Sequence, residues 1–309
     1  MTVLVRALRP GAAPDAEAFA AVRRACVPAM LATAESVRFD LAHAHPRARY
    51  RQLVAETDGE IIGTAQVGVA HDSPEPGQGF ANVYVLPERR GLGAGSLILR
   101  TAEEHLAAEG VGTVFSWVLD GPANLAFAAA RGYRASRSAH FLRLDLAEGT
   151  LPARHEPPEG VELRTGASYG DDPRALFELD AETVADEPGD VGAEFTDYAH
   201  WLAETWNHPL VDRELTSVAV VDGVPAAFTL ARTDDAGRYA SGMTGTGRAF
   251  RGRGLAKLAK NDSLHRARAA GHREAFTGND AGNGPMLAIN KWFGYEICAT
   301  EVRHVRELG

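Results

Sequence analysis

Along "YRQLVAETDGEIIGTAQVGVA" (residues 50–70) apolar and polar positions alternate, and the alternation breaks once, at Asp58-Gly59. Strand side chains point to opposite faces in succession, and Asp-Gly supplies the two positive-φ positions of a tight hairpin turn. The segment therefore predicts a hairpin. "TSVAVVDGVPAAFTLAR" (216–232) predicts a second one, turning at Asp222-Gly223. Other strands are predicted over residues 2–9, "GFANVYVL" (79–86), "VGTVFSWVL" (111–119), "GVELRTG" (160–166), "YASGMTGTG" (239–247) and "EAFTGND" (274–280).

A helical period replaces the alternation elsewhere. "DAEAFAAVRRACVPAM" follows Pro14, and "SLILRTAEEHLAAEG" (96–110) runs to Gly110. "NLAFAAARGYRA" is expected to end at Gly132 and "PMLAINKWFGYE" at Gly294. "PRALFELDAETVA" (173–185) and a run after Gly254 reaching about Ala270 complete the set.

The order of elements repeats. Arg90 to Arg251 is 161 residues, Asn124 to Asn283 is 159 and Gly132 to Gly294 is 162. Two α+β domains of like topology are expected, 1–148 and 149–309, each with a mixed, mostly antiparallel sheet. "AEGTLPARHEPPEG" (147–160), rich in proline, glycine and charge, is expected to link them.

Composition narrows the classes of function. The chain has 309 residues, 45% hydrophobic and 24% charged, as ordinary globular proteins do. A formal charge of −9 argues against a nucleic-acid partner, whose binding rests on neutralising phosphates. Two distant cysteines, Cys26 and Cys298, indicate neither a disulfide framework nor a metal spacing, and His43 and His45 lack a third ligand. No metal is expected. The first residues carry no secretory pattern and no apolar run reaches the ~20 residues of a membrane span. A cytoplasmic protein, monomer or homodimer, is the expectation.

The chemistry lies in two glycine phrases, "RRGLGAGSLIL" (89–99) and "RGRGLAKLAK" (251–260). Both fit Arg-x-x-Gly-x-(Gly/Ala), and each sits between a strand and a helix. Glycines there let backbone approach a ligand, and the free amides at a helix start favour an anion such as a pyrophosphate. A bare strand-to-helix turn would use the same residues. A phosphate loop of the Gly-x4-Gly-Lys-(Ser/Thr) type is absent, and Ser96 stands where a dinucleotide fingerprint needs its third glycine.

Strand, Arg-x-x-Gly-x-(Gly/Ala), helix, strand, asparagine-containing loop, helix and Gly-aromatic together resemble the GNAT superfamily of N-acetyltransferases, in a tandem layout. The resemblance implies an acyl-CoA, acetyl-CoA first of all, lying where two parallel strands splay apart. It implies one cradle of Arg90, Gly91, Gly93, Ala94, Gly95 and Ser96, with Val83, Val85 and Asn124 on the pantetheine arm. The other comprises Arg251, Gly252, Arg253, Gly254, Leu255, Ala256 and Lys257, with Thr244, Thr246, Asn279 and Asn283 on the arm.

Transfer to an amine needs a base, an oxyanion donor and an acid for the thiolate. The donor in such folds is a strand amide, near Val85 or Thr246. The acid tyrosine common in the superfamily is missing: its positions hold Ala128 and Asn290. The glutamate carried by some tandem members is missing too, with Gly79 and Ala240 in its place. The second strand, "SGMTGTG", is polar and a poor strand by propensity, which marks the second lobe as the expected catalytic one. The first would be structural or vestigial. Thr246, Asn290 and Glu187 are the candidate catalytic residues, with Thr277 on the face of Asn279. The acidic stretch "DAETVADEPGDVGAEF" (180–195), including Asp186, is the candidate wall for a cationic acceptor, and Trp201 and Trp206 are candidates to line it. The expected activity is transfer of an acetyl or other short acyl group to a primary amine of a small molecule. The rival readings are a non-catalytic acyl-CoA sensor, catalysis in the first lobe, and a nucleotide-dependent enzyme.

Overall fold

The computed structural model describes residues 2–187 and 197–309, and the chain divides into two compact units. The first comprises Met1–Ala139 together with Ala299–Gly309, and the second His140–Cys298.

In the first unit β1 (Leu4–Ala7) leads into α1 (Ala13–Cys26) and α2 (Ala34–His43), and β2 (Arg51–Thr57) and β3 (Glu60–Val69) form the first hairpin. Asp58 and Gly59 take φ of 52° and 80°, the left-handed pair that a two-residue hairpin turn requires. β4 (Gln78–Val85), α3 (Ala94–Ala108), β5 (Thr113–Leu119), α4 (Pro122–Ala129) and the start of β6 (Arg134–Asp145) follow. The sixth strand of this sheet is the chain's own C-terminal segment, residues 299–307, which pairs antiparallel with β5 from Glu301↔Leu119 to Glu307↔Thr113.

The second unit takes the rest of β6, then β7 (Val161–Thr165), α5 (Arg174–Val184), a short α6 (Tyr198–Trp201) continued by a π turn, and the hairpin β8 (Ser217–Val221) and β9 (Val224–Thr233). β10 (Arg238–Thr246), α7 (Leu255–Ala269), β11 (Glu274–Asp280), α8 (Gly284–Phe293) and the first residues of β12 (Glu296–Glu307) complete it. The strand order is β6-β11-β10-β9-β8-β7. Among the described residues β4–β5 and β10–β11 pair in parallel while β2–β3, β3–β4, β8–β9 and β9–β10 pair antiparallel, so each sheet is mixed.

Each sheet buries both faces. In the first unit Ile98, Leu99, Ala102 and Leu106 of α3 pack on Ala65, Val67, Ala81 and Val114, and Phe19 and Ala20 of α1 cover Val54 from the other side. In the second, Leu255 and Leu258 of α7 pack on Ala219 and Ala227, and Leu176 and Leu179 of α5 pack on Val218 and Phe228. Residues 151–155 of the expected linker lie against α7. His155 N donates to Asn261 Oδ1 at 2.8 Å, Asn261 Nδ2 to Ala153 O at 3.3 Å, and Arg154 pairs with Asp262.

One close approach fixes α5 against β10. A Cβ at Gly245 would lie 2.6–2.7 Å from three atoms of Thr183, whose branched side chain cannot swing clear. Gly245→Ala should cost about 1–3 kcal/mol, as overpacking does. A urea titration with an unchanged midpoint would contradict this.

Candidate active site

In both units a parallel strand pair holds together at one end and then parts. β4 and β5 pair only from Gln78↔Thr113 to Phe80↔Phe115, and β10 and β11 only from Arg238↔Glu274 to Ser241↔Thr277. Beyond these points each pair encloses a cleft, of about 490 Å³ in the first unit and about 370 Å³ in the second.

The hydrogen-bonding alternation says which backbone groups face each cleft. Leu86 N donates to Ile62 O, in register with the Val85↔Gly63 pair. Leu86 and Tyr84 therefore turn their peptide groups toward β3, and Val83 and Val85 turn theirs into the cleft. Gly247 N donates to Ala226 O in the same way, which leaves Thr244 and Thr246 facing the second cleft. Cradle arginines read these carbonyls in both copies: Arg90 Nε donates to Val85 O and Arg251 Nε to Thr246 O, each at 3.4 Å.

Each cleft ends at a glycine turn and a helix start. Gly91 and Gly93 have φ of 82° and 86°, Gly252 and Gly254 of 75° and 74°, and nothing lies within 4 Å of a Cβ built on any of them. The first amides of α3 and α7 to find a carbonyl of the preceding turn are Leu97 (on Gly93 O) and Leu258 (on Gly254 O). Amides before these, with the dipole's positive end, suit a pyrophosphate, and parted strands suit the extended arm of CoA. The residues fit the group in both units.

The first cleft gathers Val83, Val85, Arg90, Gly91, Gly93, Ala94, Gly95, Ser96 and Asn124. Asn124 lies on α4 and its Nδ2 already donates to Leu119 O at 3.1 Å. Arg131, missed in the sequence, closes the mouth: it pairs with Ser96 and stacks over Phe127 at 3.5 Å. Glu301 was missed as well. It stands opposite Leu119, a cleft residue, and its charge is felt by Tyr84, another. Burial pushes its carboxyl up to about 7, against Arg303 and Arg137.

The second cleft gathers Glu187, Thr244, Thr246, Arg251, Ala256, Asn279 and Asn283, with Ser241 and Thr277 at the parting point. A bulge between Ser241 and Met243 breaks the β9–β10 register there, where β4 runs regularly. Bulges next to sites re-aim strand groups, and "SGM" is the polar, glycine-containing stretch that marked this strand. Asn283 Oδ1 caps α8 by accepting from Met286 N at 3.3 Å. The remaining expected cradle side chains point elsewhere. Leu255 packs in the core, Lys257 lies over the Trp292 ring at 3.2 Å, and the Arg253 guanidinium lies 6.0 Å from the Phe250 centroid, so the backbone amides and Arg251 are what this cleft offers an anion. Asn290 is fully buried behind Asn279, to which its Nδ2 donates.

Carboxylates crowd this second mouth. Asp186 accepts from Arg248 at 2.8–2.9 Å and also from Arg251, and these contacts hold its carboxyl down at about 2, Arg248 contributing most. Asp186 is thus an ion-pair partner of the cradle. Residues 188–195 of the expected acidic wall lie outside the described residues. Trp201 and Trp206 stack on each other at 5.9 Å in the core, and Trp201 Nε1 donates to Asp180 at 2.8 Å. His43 ends α2, and His45 stacks on His71 at 4.4 Å. Among the described residues no group of three or more His, Cys, Asp or Glu could hold a metal ion, and no helix is long and apolar enough to cross a membrane.

Two splayed-strand clefts, each closed by a glycine turn on a helix start, define a tandem acyl-CoA-dependent transferase. The acetyltransferase (GNAT) family model matches residues 19–133. Mycothiol acetyltransferase of Nocardia farcinica is 34% identical over 224 residues, covering 72% of this chain and 71% of that protein. Its counterpart from Nocardioides sp. is 26% identical over 225 residues, covering 69% and 75%. The chain belongs to the GNAT acetyltransferase family, and with it to the N-acetyltransferases that use acetyl-CoA. A GCN5-related N-acetyltransferase from Sphaerobacter thermophilus shares the fold at TM-score 0.72 and 24% identity, over 99% of this chain and 95% of that one. A tandem GNAT protein from the clavulanic acid biosynthesis pathway does so at 0.70 and 22%, over 100% and 99%.

Proposed function

We propose that the chain moves an acetyl or other short acyl group from acyl-CoA directly to the primary amine of a small molecule, in the cleft of the second unit. The observation that carries this reading is the bulged, polar strand at the parting point of β10 and β11, whose Thr244 and Thr246 turn their peptide groups into the cleft. Acyl transfer develops negative charge on the carbonyl oxygen, and preorganised amides lower that barrier. Thr246 N–H is the proposed oxyanion donor. Glu187, which lines the same cleft, is the proposed base, taking the ammonium proton directly or through water. The acceptor class is also supported by relatives named as acetyltransferases of mycothiol, a small molecule. The first unit then holds a second acyl-CoA without turning it over. Monomer or homodimer remains the proposed state.

A second reading, transfer in the first unit, is favoured by Glu301 beside that cleft. Thiol release from acetyl-CoA across a panel of small primary amines tests both. Amine-dependent release that falls at least tenfold in Glu187→Gln and stays within twofold in Glu301→Gln supports the second unit. The reverse pattern moves the chemistry to the first, and no release with any amine favours a sensor.

A further inference from the structure

The two units give the same fold position very different side chains under their clefts. Where the first has Leu99, Trp117 and Ala128, the second, by the common offset and register, has Lys260, Asn279 and Asn290. Leu99 and Ala128 belong to the first unit's core. Lys260 occupies a site of the same kind on α7 with no exposure at all. Burying an ammonium without a carboxylate is costly, and burial is the one influence that pushes this lysine down to about 7. Its surroundings are the Tyr295 ring, 5.0 Å from Nζ, and Asn290, whose Oδ1 accepts from Nζ at 2.6 Å. A fold that tolerates leucine here has kept a lysine.

The chemistry of the three groups fixes a direction. An ammonium only donates, so Asn290 must turn its oxygen to Lys260 and its Nδ2 outward. That Nδ2 donates to Asn279 Oδ1, which leaves Asn279 Nδ2 as the donor, on a side chain that lines the cleft. Three residues thus convert a buried cation into an N–H aimed at the substrate space, and each bond polarises the next. The donor stands on β11, facing the strand proposed to carry the oxyanion amide, and Asn290 occupies the position of the superfamily's acid tyrosine.

We propose that Lys260 is a positioning residue which, through Asn290, aims an amide N–H of Asn279 at the departing sulfur of CoA. The proposal rests on the reading that acyl transfer takes place in this cleft. The amine nitrogen forms the C–N bond, the C–S bond breaks with its electron pair on sulfur, and the ammonium proton passes by way of Glu187 to water. The amide gives up no proton. It stabilises the thiolate where it forms, in place of an acid that would protonate it.

The test is the ionisation of bound CoA itself, read by thiolate absorbance across pH on the full chain. In the wild type one population of bound thiol should titrate about one unit below free CoA. Lys260→Leu combined with Asn290→Ala, which installs the pair found in the first unit, should abolish that population while CoA still binds. Asn279→Leu, which leaves the lysine in place, should do the same. Turnover in both variants should fall about tenfold in kcat with KM for acetyl-CoA within twofold.

Stability separates this role from a structural one. The depressed lysine binds fewer protons folded than unfolded between pH 7 and the ordinary lysine range, so wild-type stability rises with pH across that window. The paired variant should have the higher Tm at pH 7, with the gap narrowing toward pH 10. A bound thiol that titrates identically in wild type and variants overturns the proposal alone. Failure of the wild type to bind CoA in this cleft overturns the acyl-transfer reading with it.

Discussion

Gly254→Val should reduce turnover at least a hundredfold, expressed mainly as a raised KM for acyl-CoA. Gly254 caps α7 at φ 74°, a conformation that costs a β-branched residue about 1–2 kcal/mol. The fold itself should survive, because nothing lies within 4 Å of the added Cβ. What the valine fills is the open space in front of the amides that precede Leu258, where a pyrophosphate would sit. Losing several charge-assisted hydrogen bonds at about 1.5–3 kcal/mol each readily accounts for two decades. The strain should lower Tm by a few degrees, at roughly 2–4 °C per kcal/mol for a unit of this size. Gly93→Val makes the same change in the first unit, at φ 86°. It should remove one bound CoA per chain and leave turnover within threefold. Measured KM values decide: an unchanged KM in Gly254→Val contradicts the cradle, and a hundredfold loss in Gly93→Val assigns the chemistry to the first unit.

Much of this arrangement was legible because it rests on local rules. Asp58-Gly59 and Asp222-Gly223 turn where two-residue hairpins demand positive φ, and Gly93 and Gly254 stand where strand passes to helix. The repeat was legible too, in the near-constant spacing of 161 residues from Arg90 to Arg251 and 162 from Gly132 to Gly294. What stayed hidden is non-local. β6 and β12 are long strands that the alternation did not announce, since much of each is only partly buried on both faces. No local signal tells that residues 299–307 close the first sheet, so Glu301 could not be placed beside Leu119. Where the side chains of Lys257, Arg253 and Leu255 go was hidden for another reason. Their backbone suits the cradle, but a helix start sends its side chains to the core or to neighbouring aromatics. Lys260 did leave a trace: it is the position where one copy reads leucine and the other lysine.

Asp15→Asn should destabilise the first unit by about 3 kcal/mol, the scale for removing one partner of a buried ion pair. Asp15 is 2% exposed in the first turn of α1, where the helix dipole already favours a negative charge. Its carboxylate accepts five hydrogen bonds: from Arg6 Nη1 at 2.5 Å and Nη2 at 3.1 Å, and from Arg9 N, Nε and Nη2 at 2.9–3.1 Å. Arg6 in turn reaches Glu56 of β2 at 2.8 Å, so one carboxylate ties helix, edge strand and hairpin together. An asparagine keeps the shape and loses the charge, leaving Arg6 with Glu56 alone. The arginines, Arg9 first, hold the Asp15 carboxyl well below the usual carboxylate range against the opposing effect of burial. Because the folded value is depressed, the unfolded chain binds the proton first, and the stabilisation is complete only above about pH 5. It must drain away as pH falls through the ordinary aspartate range of about 4 and below. Urea or thermal melts of wild type and variant should therefore differ by about 6–12 °C at pH 7 and converge toward pH 2. A gap that stays constant into acid would mean that Asp15 acts through packing, with its charge immaterial.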